Sequence, residues 1–542
     1  NRYLLITGGK MLLMSLLMVL AAVLSGLIAA KVAARVAMDL RDSLYRKVMR
    51  FTSAEMEKFS TASLITRTTN DIQLIQMVTV ILLRLVAYAP ILAIGGILNV
   101  IRTSTGMSWI IVLGVAVLVS VIFILLKVAM PKFKKMQSLI DRLNLVSREM
   151  LSGIMPIRAF SRERHEEQRF DKANHDLYET QLFTNRIMTF LSPIMMFVMN
   201  GISVLIVWVG AGRIDDGVLQ IGDLTAFITY SMVIVTSFLM MSMIFIFLPR
   251  AGIAADRIAE VLGTEISLKD CEHPRDAELS APRGIVEFKD VDFRYPDAGE
   301  DALEKISFTA EPGKTTAIIG STGCGKTTLI RLLPRFFDVT GGSITIDGID
   351  IREITQHRLR ELLGYVPQKG MLFSGTIESN LKFGGDDITD EEIRIAAEIA
   401  QAADFIESKT DKYDSEIAQE GSNVSGGQRQ RLSIARAIAK KPKIFLFDDS
   451  FSALDYKTDL ALRKALNEHL ADATVIIVAQ RISTILHADN IVVLEDGRIT
   501  GIGTHEELLA GCETYQEIAR SQLSEAELGN ALLPENRKGG EH

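Results

Sequence analysis

The sequence predicts two unlike domains in series, an α-helical membrane-spanning domain followed by an α/β domain. Three observations predict it. Five apolar stretches, each about long enough to cross a bilayer, crowd roughly the first 250 positions. A short apolar strand in the second part runs into Gly320-Ser321-Thr322-Gly323-Cys324-Gly325-Lys326-Thr327-Thr328. A second apolar strand ends in Asp448. The 542 residues are too many for one ordinary domain. The expected boundaries are 1–262 for the membrane domain, 263–283 for a linker, 284–525 for the α/β domain and 526–542 for a polar tail.

Hydrophobic residues make up 48% of the chain, which is high for a soluble protein. The net charge of -7 is modest and argues against nucleic acid as the main partner. The three cysteines, Cys271, Cys324 and Cys512, are far apart and form no CxxC pair. Neither a disulfide scaffold nor a zinc site is implied.

The apolar stretches are Met11–Ala30, Met77–Ile101, Trp109–Ala129, Ile187–Ala211 and Leu224–Leu248. A buried core helix could account for one such run, not for five in series. The connection from Lys31 to Gln76 carries Arg35, Arg41, Arg46, Lys47, Arg50, Lys58 and Arg67, and Pro131–Arg186 is also rich in Lys and Arg. The alternate connections, Arg102–Ser108 and Gly212–Asp223, are short and nearly free of them. The positive-inside rule puts the two long basic connections, and with them the α/β domain, in the cytoplasm. Asn1 would then lie outside. The odd number of spans and the absence of an initiator Met lead to the expectation of one further helix ahead of Asn1.

Both long connections keep a helical period, with Leu40, Leu44 and Val48 on one face and Leu139, Leu143 and Val146 on another. Membrane helices are therefore expected to run on into the cytoplasm and reverse near Ser53–Phe59 and Phe160–Phe170. Such elbows suit contact with another domain. Arg84 lies inside an apolar stretch and faces either a cavity or partner, or the membrane interface by snorkelling. Met232, Met240, Met241 and Met243 crowd the last span, as adaptable helix packing or as the lining of a permissive pocket.

In the second domain Val286, Phe288, Val291 and Phe293 mark a strand, and Thr315–Ile319 is a short apolar strand followed by the glycine-rich turn. That turn matches G-x-x-x-x-G-K-[ST] between a strand and a helix. Its glycines let backbone N–H groups close around phosphate oxygens, and a helix N-terminus favours their charge. Lys326 would reach the β- and γ-phosphates of ATP, and the Thr327 hydroxyl would bind Mg2+. Lys443–Asp448 is an apolar strand ending in an acid placed to hold Mg2+ through water. Between the two lies Asn423-Val-Ser425-Gly426-Gly427-Gln428, ahead of a helix through Ala435 and Ala439. A second phosphate-binding terminus in one chain makes sense if it serves ATP held by another subunit.

The order of P-loop, Gln368, Ser-Gly-Gly-Gln, acid-ended strand and Ser452-Ala-Leu-Asp455 resembles the ABC transporter ATPase. The resemblance covers essentially the whole chain. Leu40-Arg41, Phe51, Phe59, Leu64, Arg67 and Asp71 resemble the first cytoplasmic loop of the exporter class, and Glu149, Gly153 and Arg158-Ala-Phe160 its second. The resemblance implies an exporter-type helical transmembrane domain plus a P-loop NTPase domain with the ABC helical subdomain. It implies that Tyr295 stacks on adenine and that Gly320 to Thr328 hold the phosphates. Gln368 would sense Mg2+ and meet the membrane domain, and Thr327, Gln368 and Asp448 would form the metal site. Glu420-Gly421 resembles the loop that touches the coupling helices, and Asp455 matches the D-loop. The family has six spans per half.

Two positions depart from the family pattern. A Glu normally follows the strand-ending Asp, as general base or water-positioning residue; here it is Asp449. A His normally follows the next strand as a switch on the γ-phosphate; here it is Gln480, followed by Arg481. Asp449 should hold its carboxylate about a methylene too far from the attacking water, which can cost about a hundredfold in rate. Gln is neutral at any pH and cannot carry a proton as imidazolium does. With the nucleotide-binding residues intact, the chain resembles the degenerate-site half of a heterodimeric bacterial multidrug exporter. Its signature, Val424 to Gln428, would complete the partner's ATP site.

The expected function is ATP-driven export of hydrophobic or amphipathic substrates, drugs or lipids, across the cell membrane. The expected partners are a second half-transporter, the lipid bilayer and a hydrophobic small molecule. A homodimeric lipid or peptide exporter with slow turnover is the alternative. The fused spans exclude a soluble DNA-repair ATPase, and the long cytoplasmic loops argue against an importer. A nucleotide-gated channel would share most of these motifs.

Overall fold

A computed structural model describes residues 2–103, 106–296 and 298–523 of the chain. The tail expected at 526–542 lies outside the described residues. The chain forms two compact units, Asn1–Met49 with Thr61–Thr264, and Arg50–Ser60 with Glu265–His542.

The first unit is helical: α1 (Arg2–Val48), α3 (Thr61–Thr66), α4 (Ile72–Ile81), α5 (Ala87–Thr103), α6 (Ser108–Ser152), α7 (Ile154–Ala159), α8 (Glu163–Asp215) and α9 (Ile221–Gly263). The short α2 (Ser53–Lys58) falls in the second unit. At 1.5 Å per residue α1, α6, α8 and α9 are about 65 to 80 Å long. A bilayer core is about 30 Å thick, so each rod continues well past it. All five apolar stretches lie in continuous helix. Among the described residues four helices are long and apolar enough to span, within Arg2–Val48, Thr61–Arg102, Pro193–Asp215 and Ile221–Met241. The fifth stretch is the start of α6, apolar over Ser108–Val121.

Packing within this unit joins α6 to α8, α5 to α9, and α1 and α9 to α4. Only a narrow face of α1 is buried, Ala29, Ala33, Ala37 and Leu44. Small residues there let two helices approach closely, the usual device where lipid removes the hydrophobic gain. Gly96 and Gly114 do the same: a Cβ would lie 2.7 Å from Ile234 Cγ1 and 2.3 Å from Ile202 Cδ1, respectively. Two π-helical turns interrupt the rod from α3 to α5, Arg67–Asp71 and Leu82–Val86. In the first, Arg67 bonds the Arg257 carbonyl at 2.8 Å and pairs with Glu260 at 2.9 Å. Arg84 occupies the second and is exposed in the single chain. Of the four methionines of the last span, Met232 is exposed and Met240 and Met241 half-buried, while the Met243 side chain lies outside the described residues.

The first reversal is α2 itself, where it was expected. The second runs from Gly153 to Arg162, with α7 as its short helix, and starts before the anticipated Phe160–Phe170. α6 stops at Gly153, which still makes the helical bond to the Glu149 carbonyl but whose backbone leaves the helical region.

Segment Arg50–Ser60 groups with the second unit because of Glu55. Thr52 caps α2, and the buried Glu55 carboxylate accepts from Thr52 N–H at 2.7 Å and from Ser267 N–H at 3.0 Å. Ala54 packs on an apolar cluster of the same unit.

That unit holds two main sheets. Its elements are β1 (Val286–Phe293), β2 (Leu303–Ala310), β3 (Thr315–Gly320), α10 (Lys326–Leu332), β4 (Gly341–Ile346), β5 (Ile349–Asp350), α11 (Gln356–Glu361), β6 (Leu363–Val366), β7 (Gly375–Thr376) and α12 (Ile377–Leu381). They continue with α13 (Asp390–Ile399), α14 (Ala403–Glu407), β8 (Glu416–Ile417), α15 (Gly426–Ala439), β9 (Ile444–Asp448), α16 (Tyr456–His469), β10 (Thr474–Val478), β11 (Asn490–Glu495), β12 (Arg498–Gly503), α17 (His505–Gly511) and α18 (Glu513–Gln522). One sheet has the order β2-β1-β4-β5 and the other β12-β11-β3-β10-β9-β6. The strand at Val286–Phe293 breaks alternation because a bulge shifts register between Phe288 and Val291.

The larger sheet is parallel from β6 to β11 and buried on both faces. Ala317, Ile319, Phe445, Phe447, Val475 and Ile477 enter one apolar cluster, and Ile318, Ile444, Leu446, Ile476 and Val478 the other. That is the period of two that a strand imposes.

Burial alone would raise the Glu55 carboxyl's pKa, but the hydrogen bonds from Thr52 and Ser267 outweigh it and hold the carboxyl below the usual range. A folded pKa below the unfolded one stabilises above the unfolded value, and the gain is lost as pH falls through that range. Glu55→Ala strands the N–H groups of Thr52 and Ser267 and frees the Thr52 hydroxyl from Glu55, and should destabilise by about 1–3 kcal/mol near neutral pH. Glu55→Gln keeps an acceptor and should lose less, while removing the acid-side fall. Thermal unfolding of the three proteins from pH 7 to pH 4 measures both effects; equal melting of wild type and Glu55→Ala at pH 7 would refute the role.

Candidate functional site

The parallel register collects the chemistry at one edge. Val478 lies beside Asp448 on one side and Ile318 on the other, and Val366 pairs with Phe447. The turns that leave these strands therefore emerge side by side. They carry Gly320 to Thr328, Gln368, Asp449 and Gln480.

The glycine-rich turn has no room for side chains at its base. A Cβ on Gly320 would lie 2.1 Å from the Leu494 carbonyl oxygen. Gly323 and Gly325 have φ of 91° and 99°, the left-handed region that glycine enters freely. The buried Lys326 ammonium donates to the carbonyls of Gly320 and Ser321 at 2.8 and 2.6 Å. Thr327 Oγ1 donates to Asp448 Oδ1 at 3.1 Å. Thr328 and Tyr295 share a hydroxyl–hydroxyl bond of 3.0 Å. The Tyr295 ring stands edge-on to Phe293 and Phe337 at 4.9 and 5.3 Å.

Burial pushes the Asp448 carboxyl above the usual range and nearby Asp449 adds to this, against Thr327 and Arg331. Asp449 is also buried. Its φ of 47° is a conformation in which Asp is over-represented, and its N–H bonds the Val478 carbonyl at 2.9 Å. Gln368 Nε2 donates to Asp449 Oδ2 at 3.1 Å, so the two turns meet through these side chains. Gln480 is exposed, and its carbonyl accepts from Gln522.

Ser425 is not part of this cluster. It caps α15, accepting from Gln428 N–H at 3.2 Å while its own N–H donates to Gln428 Oε1 at 3.0 Å. Ser425 and Gly426 are exposed, and a Cβ on Gly426 would meet nothing within 4 Å. Asp455 caps α16, taking two bonds from Thr458. These bonds, backbone first, keep its carboxyl below the usual range. Among the described residues no bond of Ser425 or Asp455 reaches the glycine-rich turn.

Residues 3–238 match the ABC transporter transmembrane region, and residues 303–452 match the ABC transporter domain. An uncharacterised ABC transporter ATP-binding protein of Mycobacterium tuberculosis is 41% identical over 494 residues, 91% of this chain and 84% of that protein. The chain belongs to the ABC transporter family. A probable multidrug resistance ABC transporter ATP-binding/permease protein of Bacillus subtilis is 32% identical over the same shares of both chains. A solved bacterial Atm1-family ABC exporter with ATP bound matches 92% of this chain and 87% of its own length, with TM-score 0.78 and 28% identity. The fold is thus that of an ABC exporter, and the chain is a membrane transporter subunit whose ATPase domain couples ATP hydrolysis to transport. ABC exporters of this kind work as dimers in the lipid membrane.

Sequence reasoning overlooked Gln430. Its buried amide donates to the Pro367 carbonyl at 3.2 Å and accepts from Gly370 N–H at 2.9 Å. One turn and two turns on, Ser433 closes against Gly370, and Arg436 bonds the Met371 carbonyl beside the stacked rings of Phe373 and Phe383. Burial lowers the Arg436 pKa to about 10. The segment after Gln368 is therefore fastened to the helix that Ser425 begins. Only the i, i+3, i+6 spacing hinted at this, and surface polar residues show the same spacing. Gln430→Leu, close in size, should strand a buried donor and acceptor and destabilise the ABC transporter by about 1–3 kcal/mol. Differential scanning of the purified protein checks it, and an unchanged melting temperature would count against the fastening.

Proposed function

We propose that this chain is the degenerate-site half of a heterodimeric exporter of hydrophobic or amphipathic molecules, and that its own P-loop binds ATP but splits it slowly. Gly320 to Thr328 would wrap the phosphates, with Lys326 exchanging its two carbonyl partners for phosphate oxygens and Tyr295 bearing the adenine. The adjacent Thr327 hydroxyl and Asp448 carboxylate fit a Mg2+ ion that takes its other ligands from phosphate and water, with Gln368 completing the sensor. Bound there, Mg2+ neutralises phosphate charge. The name of the Bacillus relative supports a multidrug substrate class.

The observation that carries the slow site is the Gln368–Asp449 bond of 3.1 Å beside a switch position occupied by Gln480. Asp449 is one methylene short of the family's Glu, and its carboxylate is already engaged. Gln480 offers an amide where the family has an imidazole. Binding residues stay intact while the two residues closest to hydrolysis have changed.

The isolated chain should bind ATP with very slow turnover. Asp449→Glu together with Gln480→His should raise single-site hydrolysis, since misplacement by about 1 Å can cost about a hundredfold. Single-turnover assays with labelled ATP decide it. Robust turnover by the unmodified chain, or no gain in the double variant, removes the basis for a degenerate site.

The chain's two contributions should also separate by mutation. Ser425 and the N–H groups of Gly426 and Gly427 would face the γ-phosphate on the partner's P-loop. Removing a positioned donor from developing charge costs about a hundred- to a thousandfold. In the full heterodimer Ser425→Arg should abolish ATPase and drug transport, while Asp449→Asn should cost far less. The reverse pattern would make the homodimeric lipid or peptide exporter the better reading.

A further inference from the structure

The last helix of the described chain ends on the loop that carries Gln480. Tyr515 and Ala519 are fully buried and fix α18 against the apolar cluster. Its final residue, Gln522, bonds backbone with both ends of its side-chain amide. Nε2 donates to the Gln480 carbonyl at 2.9 Å, and Oε1 accepts from Ile482 N–H at 2.8 Å.

The loop is otherwise held from its ends. Ala479 N–H bonds the Ile318 carbonyl at 3.0 Å, which continues the ladder from β3. Arg463 donates to the carbonyls of Ser483 and Thr484 at 2.7 and 3.2 Å and is itself paired with Asp459 at 2.8 Å. Between these points Ile482 is buried in the apolar cluster and the Arg481 carbonyl accepts from Thr484 N–H at 3.1 Å, so the backbone at Gln480 itself is held, among the described residues, by Gln522. A side-chain amide suits the task because one planar group offers both donor and acceptor. An alanine offers neither, and an ionised carboxylate offers the acceptor alone.

We propose that Gln522 is a positioning residue for the nucleotide site: it fixes the backbone at Gln480 so that the Gln480 amide is presented to the γ-phosphate, and it thereby sets the preference of this site for ATP over ADP. This rests on reading Gln480 as the switch residue. The consequence follows from chemistry. ADP has no γ-phosphate, so a defect in presenting Gln480 weakens ATP and leaves ADP alone. A general loss of fold would weaken both.

The test uses the full chain in lipid nanodiscs with Mg2+, and displacement of a fluorescent ATP analogue by ATP or by ADP. Gln480→Ala comes first: it should weaken ATP about five- to tenfold, the scale of one hydrogen bond, with ADP unchanged. No change in that ratio would remove Gln480 from the γ-phosphate, and the switch reading fails by itself. Given a response, Gln522→Ala should lower the ATP-to-ADP ratio in the same direction, and the double variant should be no worse than Gln480→Ala alone, because both act through one contact. Gln522→Glu, ionised at pH 7.5, keeps the acceptor but loses the donor to the Gln480 carbonyl and should lower the ratio in the same direction. An unchanged ratio in Gln522→Ala, additive losses in the double variant, or parallel losses for ATP and ADP would each overturn the proposal.

Discussion

The nucleotide-binding unit depends on one constraint, the parallel register of β3, β10 and β9. Neighbouring strands lie about 4.8 Å apart, and the ladder leaves no freedom to slip while both faces are buried. Residues more than a hundred positions apart are thereby brought to the same edge. A slip of one residue would move Ile318, Val478 and Leu446 from one apolar cluster into the other and carry Asp448 away from Thr327. The turns add only local geometry. Gly320 can sit at the edge because nothing but hydrogen projects toward the Leu494 carbonyl.

Much of this was legible in the sequence because its signals are local. A spanning helix announces itself by about 20 apolar residues, and a P-loop by glycines at fixed spacing next to Lys and Thr. The buried strands read as unbroken apolar runs. Less legible was what depends on distant pairing. Arg50–Ser60 looks like any basic connection; its placement in the second unit is decided by Glu55 and by the N–H of Ser267, more than two hundred residues away. The bond between Gln368 and Asp449 is of the same kind, since no periodicity links two turns on different strands. Gln430 and Gln522 escape for a further reason: Gln is common on surfaces, and an amide that happens to meet backbone at both ends leaves no mark in composition.

Two of the left-handed non-glycine positions of the second unit lie beside the chemistry. Asp449 has φ of 47° and Glu420 of 57°, the first beside the Asp448 strand and the second in the loop before Ser425. Such conformations persist when the surroundings over-determine them. For Asp449 those surroundings are the Val478 carbonyl at its N–H, the Ser452 hydroxyl at its carbonyl and Gln368 at its side chain. A left-handed position favours Asp over longer residues, so the short side chain and the backbone suit each other. The departure from the family's Glu is in keeping with its local backbone.

The separation of Ser425 from the glycine-rich turn explains how one site could lose catalytic groups while the other contribution survives. The turn is built on the apolar cluster that includes Ile318, Leu329 and Ile330, whereas the inner face of α15 belongs to the opposite cluster through Leu432, Ile434 and Ala435. Neither Asp449 nor Gln480 is a member of either apolar cluster. One route between these residues and α15 is the segment after Gln368, tied at one end to Asp449 and at the other to Gln430 and Arg436. A displacement of Gln368 on nucleotide binding would be passed along that short segment to the helix bearing Ser425. On the proposed reading, slow hydrolysis at one site would be compatible with a role in timing the other, because such a segment would follow where Gln368 sits and not whether the γ-phosphate has been cleaved.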